Sequence, residues 1–158
     1  MPTPFESPDD ERAGLALFLD VQRQALLHKL VGLSDEQATS HPTVSTLSML
    51  TLVKHVAYVE RRWFQLEIAR RDIDGLWPPP DDRELRVEPD DTVASIAAFY
   101  EAVIAENRHI LAKVDELDSP SATGVNRRWV LLHLIEELAR HAGHADLLRE
   151  AIDGSRGA

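Results

Sequence analysis

The chain has 158 residues, enough to bury a hydrophobic core, and we expect a single domain over residues 1–158. It contains no cysteine, which excludes disulfides, cysteine-bound zinc and a cysteine nucleophile. A formal net charge of -10 opposes nucleic-acid binding, and no apolar run approaches the roughly 18 residues of a membrane span. These features predict a cytoplasmic protein with neither a nucleic-acid nor a membrane partner.

The first quarter of the sequence predicts one long helix followed by a short one. Acidic residues and a proline precede the long helix, which we expect to end near Gly32. Its apolar residues recur at helical spacing: Leu15, Phe18, Leu19, Leu26 and Leu30. Ser34 is the expected cap of the short helix, and Pro42 closes it.

A second long helix is predicted across residues 45–71, which contain neither glycine nor proline. Its apolar stripe consists of Leu52, Val56, Val59, Trp63 and Leu66. The acidic segment that follows carries three consecutive prolines at 78–80, which exclude regular structure and predict a long connection. Its motif GLWPPP is interpreted either as a lid over a site or as a stiff crossover without a catalytic role.

The second half of the sequence predicts a third and a fourth long helix. Asp91 is the expected cap of the third, and Gly154 is expected to follow the cap at the end of the fourth. No stretch alternates polar and apolar residues as a strand does. The sequence therefore predicts an all-α four-helix bundle with a long crossover between its second and third long helices.

Of the seven histidines, two fall on the apolar faces of predicted helices. His55 is three residues after Leu52 and four before Val59, and His141 is three residues after Leu138. Both rings are therefore expected to point into the bundle. A lone inward histidine is usually a hydrogen-bonded core residue.

The fourth helix carries polar side chains on both sides of His141 along the same face. Glu137 lies four residues before His141 and His144 lies three after it, so all three form one strip. Neutral imidazole is the commonest metal ligand, whereas several buried rings without a metal each need hydrogen-bond partners. We therefore expect a metal site, with a purely structural bundle as the alternative.

The remaining histidines carry weaker signals. His28 and His109 stand alone on the first and third helices, and His41 precedes a proline in a loop. His133 lies eleven residues before His144, about 16 Å along the helix axis, so one metal cannot bind both.

The segments HVAYVERRWF, on the second helix, and RRWVLLHLIEELARHAGHADLLREAIDG, on the fourth, resemble the DinB-like superfamily of four-helix metalloproteins. The similarity is specifically to its actinobacterial branch related to mycothiol-dependent enzymes. The resemblance implies an up-down-down-up bundle, a divalent metal held by three side chains, and a homodimer. It also implies that the metal, which is zinc, nickel or iron in relatives, activates a low-molecular-weight thiol for transfer or isomerisation.

The resemblance matches His55 to the ligand of the second helix and leaves two assignments for the fourth. Most relatives place histidines four apart, but Arg140 occupies the position four before His144. A glutamate four residues before a histidine, the alternative pattern, is reproduced by Glu137 and His141. We favour His55, His141 and His144 as ligands, with Glu137 as the substitute ligand or as a hydrogen-bond partner of one.

The function expected from this resemblance is a metal-dependent thiol transferase or isomerase acting on a small thiol and an electrophile. Three protein ligands would leave a position open for substrate, as in catalytic sites. The alternative is a stress-response protein that binds a metal or small molecule without turnover. Metal ligands apart, we predict no catalytic side chain.

Several further side chains are candidates for the rim of this site, although packing or solvation is their ordinary role. They are Arg62, Arg140, Trp63, Trp77 and Trp129. Glu60 and Glu136 also fall beside the predicted site, and solvation is their ordinary interpretation. Asp146 points away from His144 and is interpreted as a capping or ion-pair residue.

Overall fold

A computed structural model describes residues 8–72 and 82–156, and helices make up its framework. These are α1 (Glu11–His28), α2 (Asp35–Thr39), α3 (Met49–Arg61), α4 (Val93–Ala112) and α5 (Arg127–Asp153). A π-helical segment, Arg62–Ile68, continues α3, and a 3-10 turn, Arg83–Leu85, lies in the crossover before α4. Within the described ranges no β-strand forms, as the sequence predicts.

Helices α1 and α5 run in the same direction. At their starts, Arg128 donates to Glu11 at 2.6 Å, and beyond the end of α1 Lys29 pairs with Asp146 at 2.6 Å. The second contact confirms the interpretation of Asp146 as an ion-pair residue. Because contacts connect the starts and the later parts of both helices, the two are parallel neighbours.

Helices α3 and α4 form the second parallel pair, and this pair runs opposite to the first. Lys54, early in α3, reaches Asp91 at 2.5 Å just before α4 begins. The antiparallel relation between α3 and α5 follows from two ring contacts, His55 with His141 and Trp63 with Trp129. The order is up-down-down-up with the crossover between α3 and α4, which confirms the predicted all-α bundle.

Capping side chains define most helix starts. Ser34 accepts from the backbone of Gln37 at 3.1 Å, so the predicted cap of α2 is confirmed. The predicted cap of the third long helix is wrong by one residue, since Thr92 caps α4. The Asp91 carboxylate is instead occupied by Lys54. Helix α1 ends at His28, before the predicted boundary at Gly32, which has a φ of 80° in the following turn.

The helix predicted to run without interruption through residues 45–71 changes its pitch at Arg62. The backbone nitrogen of Ala69 donates to the carbonyl of Phe64, five residues earlier, at 2.9 Å. This wider turn brings Glu67 to the loop between α4 and α5, where it accepts from the Thr123 backbone at 2.9 Å and from the Ser121 hydroxyl at 3.2 Å. Short π-helical segments inside α-helices are frequent at functional sites.

The centre of the bundle contains a buried polar group among aliphatic side chains. Glu60 is fully buried and accepts hydrogen bonds from Arg23, Tyr100 and Asn107. The interpretation of Glu60 as a solvated residue beside the site is therefore wrong, because this carboxylate belongs to the core. Fully buried apolar side chains make up much of the rest of the core, among them Leu19, Leu26, Leu52, Val56, Leu134 and Leu138.

Across the described residues, no helix combines the length and apolar content that crossing a membrane requires.

Candidate metal site

Three of the predicted candidates meet between α3 and α5. His55 comes from the middle of α3, and Glu137 and His141 come from the middle of α5, one helical turn apart. One ligand atom from each residue lies within 4.8 Å of the other two. The core positions of both helices explain the meeting, because Leu52, Val56, Leu134 and Leu138 bury the same faces.

The contacts within this group keep its histidines close and largely desolvated. The Nε2 atom of His141 lies 3.2 Å from Oε1 of Glu137, and the rings of His55 and His141 meet edge to face with centroids 5.2 Å apart. Burial lowers the pKa of His141, and proximity to His55 lowers it further, while Glu137 opposes both effects. His141 is therefore held in the neutral form, which is the form that ligates metals.

The donor chemistry of the group fits a divalent cation. The buried Nδ1 atom of His141 makes no hydrogen bond to any described residue, so this ring is not accounted for as a satisfied core histidine. Two imidazoles and one carboxylate form a common ligand set of catalytic zinc sites and of ferrous sites. The residues present therefore suit a bound cation with open positions.

His144 occupies a different position from the other three. Its side chain is exposed, and its ring centroid lies 5.6 Å from that of His141. The group of atoms within 4.8 Å contains Glu137 in the place that we assigned to His144. Ligation by His144 stays a prediction, and the geometry favours the substitute candidate.

A second carboxylate next to this group comes from the crossover. Glu84, in the 3-10 turn, is buried with Oε1 3.3 Å from Nδ1 of His55. Sequence reasoning missed Glu84 because it lies in an acid-rich segment without periodicity. Only its position four residues beyond three prolines, in a segment that returns to α4, could have drawn notice.

The candidate rim residues Trp63 and Trp129 form a ring cluster with His133, which we call the aromatic shelf. Trp129 stacks on His133 at 5.0 Å with an interplanar angle of 14°, and Trp63 lies 5.1 Å from His133 and 5.7 Å from Trp129. The guanidinium of Arg62 lies 5.1 Å from the centre of the Trp63 ring. Trp129 keeps 47% of its surface exposed, so the shelf is open to solvent.

The aromatic shelf is continuous with the metal group along one face of α5. Trp129, His133, Glu137 and His141 follow one another at intervals of four residues. Each interval corresponds to about 6 Å along the axis, so the shelf begins one turn below the carboxylate. His133 contacts Trp63 and Trp129 and is not among the three residues of the metal group.

Of the other candidates, Arg140 reaches the edge of the metal group, and the rest lie apart from it or outside the described residues. Arg140 and Glu136 are both exposed and pair with each other at 2.7 Å, and Arg140 also lies 3.6 Å from Glu137. Trp77 and the GLWPPP motif fall outside the described residues. His28, His41 and His109 are exposed.

A solved structure shares the fold of this chain. A conserved protein from Enterococcus faecalis matches with a TM-score of 0.72, covering 94% of this chain and 100% of its own, at 16% identity. At that identity the similarity shows the fold alone. No protein of curated function matches the sequence.

The sequence profile described as mycothiol-S-transferase matches residues 14–154, a span that contains His55, Glu137 and His141. This match confirms the resemblance to DinB-like proteins. The chain belongs to the mycothiol-S-transferase family.

Proposed function

We propose that this protein is a divalent-metal-dependent S-transferase that joins a low-molecular-weight thiol of the mycothiol type to a small electrophile. The observation that carries the proposal is the meeting of His55, Glu137 and His141 within 4.8 Å in a chain of the mycothiol-S-transferase family.

His55, Glu137 and His141 would hold the cation, with its remaining positions open toward solvent and substrate. Both imidazoles are neutral ligands and the carboxylate brings one negative charge, so a bound dication retains net positive charge. When bound, such a cation would lower the pKa of a thiol here and so supply a thiolate at neutral pH that a chain without cysteine cannot provide itself. Zinc, nickel and ferrous iron all accept this donor set.

The protein's own residues would prepare the site for that thiol. Burial keeps His141 neutral, so it offers a lone pair without first losing a proton. Glu137 lies 3.2 Å from His141 and would fix the orientation of that ring until both side chains bind the cation. The apolar residues behind them exclude water from one side, which strengthens every charge interaction at the site.

The transfer itself forms one carbon–sulfur bond and breaks one bond to a leaving group. The thiol proton passes to solvent at the exposed side of the site, and the leaving group departs with the electron pair of the broken bond. An electrophile with an activated double bond would instead take up a proton and release nothing. No oxidant or reductant is required in either case.

The aromatic shelf is the surface on which the substrates would lie. Its rings begin one helical turn from Glu137, and Trp129 presents an exposed face to solvent. A planar ring or the apolar face of a sugar ring packs well on such a surface. The shelf would thus orient the body of the thiol or of the electrophile while the reacting atoms remain near the histidines.

Metal analysis tests the first half of the proposal. Protein purified without an affinity tag should contain about one equivalent of a divalent metal, or take one up on reconstitution. The variant His55→Ala should lose that metal, whereas His109→Ala, which removes an exposed histidine from α4, should keep it. No uptake by the wild type would refute the metal site.

Turnover tests the second half. Metal-loaded protein is incubated with mycothiol and other small thiols together with a panel of electrophiles, including one substrate that can isomerise. Metal-dependent consumption of thiol with formation of a thioether supports the transferase, whereas isomerisation without net thiol consumption supports an isomerase. Stoichiometric binding without turnover across the panel favours the alternative of a non-catalytic binding protein.

The family resemblance also leads us to propose a homodimer that acts in the cytoplasm, where small thiols are kept reduced. Sedimentation at micromolar concentration tests the dimer, and fractionation of the producing cells tests the compartment. A monomer at all concentrations would refute the first of these proposals.

A further inference from the structure

Glu84 is a buried carboxylate that the proposed ligand set does not use. It lies at the centre of the 3-10 turn Arg83–Leu85 and is 6% exposed, although its neighbours on both sides are exposed. A carboxylate leaves water at a considerable cost in free energy unless charged or hydrogen-bonding groups compensate it. Its burial therefore requires a partner at this position.

Among the described residues, His55 is a side chain in contact with Glu84. The Oε1 atom lies 3.3 Å from Nδ1 of the ring, which is itself buried. The guanidinium of Arg62 is also close enough to interact electrostatically with Glu84. The carboxylate thus lies on the side of the His55 ring that carries Nδ1, with a positive charge nearby.

The backbone around Glu84 is fastened to α3 beside the same histidine. Lys54, the residue before His55, donates to the carbonyl of Arg86 at 3.1 Å and pairs with Asp91 at 2.5 Å. Asp82 begins the 3-10 turn with a φ of 52°, a left-handed conformation that aspartate tolerates better than most residues. The carboxylate is therefore presented to His55 by a turn whose following residues are anchored to α3.

We propose that Glu84 is a positioning residue that keeps a hydrogen on Nδ1 of His55 and so directs the Nε2 lone pair toward the cation. This inference rests on the proposed function, since it assumes that His55 is a ligand. Metal-binding histidines commonly donate their second ring nitrogen to a carboxylate, which fixes the tautomer and increases the basicity of the ligating nitrogen. Glu84 is outside the group of atoms within 4.8 Å, so it acts through His55.

The geometry also indicates how the contact would respond to a cation. Nδ1 and Oε1 are 3.3 Å apart, yet the alignment is not that of a hydrogen bond. A small rotation of the ring would align the N–H with the carboxylate. We expect loading with metal to produce that rotation, which would turn the contact with Glu84 into a hydrogen bond.

The first experiment needs no metal. Long-range proton–nitrogen correlation spectra of the histidine rings report which nitrogen carries the hydrogen. In the metal-free wild type at a pH where His55 is neutral, the hydrogen should be on Nδ1. In Glu84→Gln it should shift toward Nε2, the position that free imidazole side chains favour, and an unchanged tautomer would overturn the proposal.

The second experiment measures affinity for Zn²⁺ by competition with a chromophoric chelator. Glu84→Gln should weaken binding about 10-fold and Glu84→Ala about 100-fold, the range found when such partners are removed. The matched control is Glu88→Gln in the same segment, whose carboxylate pairs with Arg86 at 2.6 Å and should leave affinity unchanged. Thermal unfolding of the metal-free variants separates a loss of fold from a loss of affinity.

The absorption spectrum of the Co²⁺-loaded protein distinguishes positioning from ligation. A positioning residue leaves the band positions of Glu84→Gln close to those of wild type, whereas loss of a ligand changes them. Equal affinity in wild type and Glu84→Gln would overturn this proposal while leaving the proposed function intact. If the wild type binds no metal, the proposed function fails, and the tautomer measurement alone decides whether Glu84 orients His55.

Discussion

Arg23 of α1 and Glu60 of α3 form an ion pair across the centre of the bundle, where their exposed fractions are 1% and 0%. Tyr100 and Asn107 donate to the same carboxylate at 2.6 and 3.3 Å. The pair and these two donors thus connect α1, α3 and α4 in the core of the bundle. Removing one partner would leave the other charge buried and uncompensated.

We therefore predict that Glu60→Ala lowers the free energy of unfolding by about 3–5 kcal/mol. Replacement of both partners, Arg23→Met with Glu60→Leu, should restore part of that loss, because no buried charge remains but Tyr100 and Asn107 lose their acceptor. Urea denaturation measures both values. The control is Glu136→Ala, which breaks an exposed pair with Arg140 and should change stability by less than about 1 kcal/mol. Equal effects of Glu60→Ala and Glu136→Ala would contradict the prediction.

The phenol of Tyr100 provides a test at alkaline pH. Burial raises the pKa of Tyr100 well above 10, and the negative charge of Glu60 raises it further. An unfolded tyrosine ionises near pH 10, so the contribution of Tyr100 to stability is complete below pH 10. It is lost as the pH rises from 10 toward the raised pKa of the folded state.

We expect the tyrosinate absorbance of wild type minus that of Tyr100→Phe to show no step near pH 10 while circular dichroism reports folded protein. The step should coincide with alkaline unfolding. Ionisation of Tyr100 near pH 10 in the folded protein would contradict this prediction and show that the phenol is accessible to water.

The choice between Glu137 and His144 as third ligand can be decided by metal affinity. Glu137→Gln should weaken Zn²⁺ binding by more than about 100-fold, since loss of a ligand exceeds the effect of losing a supporting carboxylate. His144→Ala should change it by less than about 10-fold, because that ring is exposed and lies beyond the close group. The reverse order would establish His144 as the ligand and Glu137 as its support.

Metal binding should stabilise the folded chain. At a free metal concentration 100 times Kd, the gain is about 2.7 kcal/mol, which corresponds to a rise in Tm of about 5–10 °C for a protein of this size. Differential scanning calorimetry measures the rise, and a chelator should reverse it. His55→Ala should show no rise, whereas a rise equal to that of wild type would point to a second binding site.

The aromatic shelf should affect substrate binding more than the chemical step. Trp129→Ala removes the exposed ring that stacks on His133 and should raise KM about 3- to 10-fold with little change in kcat. The control is Leu132→Ala, which shortens another exposed apolar side chain of α5. A fall in kcat at constant KM would show that Trp129 acts on the reacting atoms instead.

Periodicity predicted those parts of the molecule that depend on helix faces. The register of Leu52, His55 and Val56 places the ring of His55 inside the bundle without knowledge of any partner. The helical spacing of α5 likewise places Glu137 and His141 on one strip, as the structure confirms. Glu137 lies four residues before His141 and His144 lies three after it, and either spacing allows ligation of one metal together with His141. Sequence alone could therefore not choose between Glu137 and His144.

Features that depend on contacts between distant segments were not predictable in this way. Glu84 reaches His55 because Lys54 fastens the crossover to α3, and no local pattern encodes that contact. Glu60 was interpreted as solvated because acidic residues on helices usually are, yet Arg23 compensates it in the core. Asp91 was interpreted as a cap from its position before an apolar run, but the buried lysine takes its carboxylate.

The long helix consists of an α-helical part, Met49–Arg61, followed by the wider π-helical turn Arg62–Ile68. The α-helical part sets the direction of His55, whereas the π-helical turn sets the reach of Glu67 to Thr123. Deleting a single residue within the turn would restore the ordinary helical pitch, because a π-helical turn holds one residue more than an α-helical turn. Relatives that are one residue shorter here could therefore keep both the histidine face and the contact with the α4–α5 connection, and the gap in an alignment belongs inside this helix.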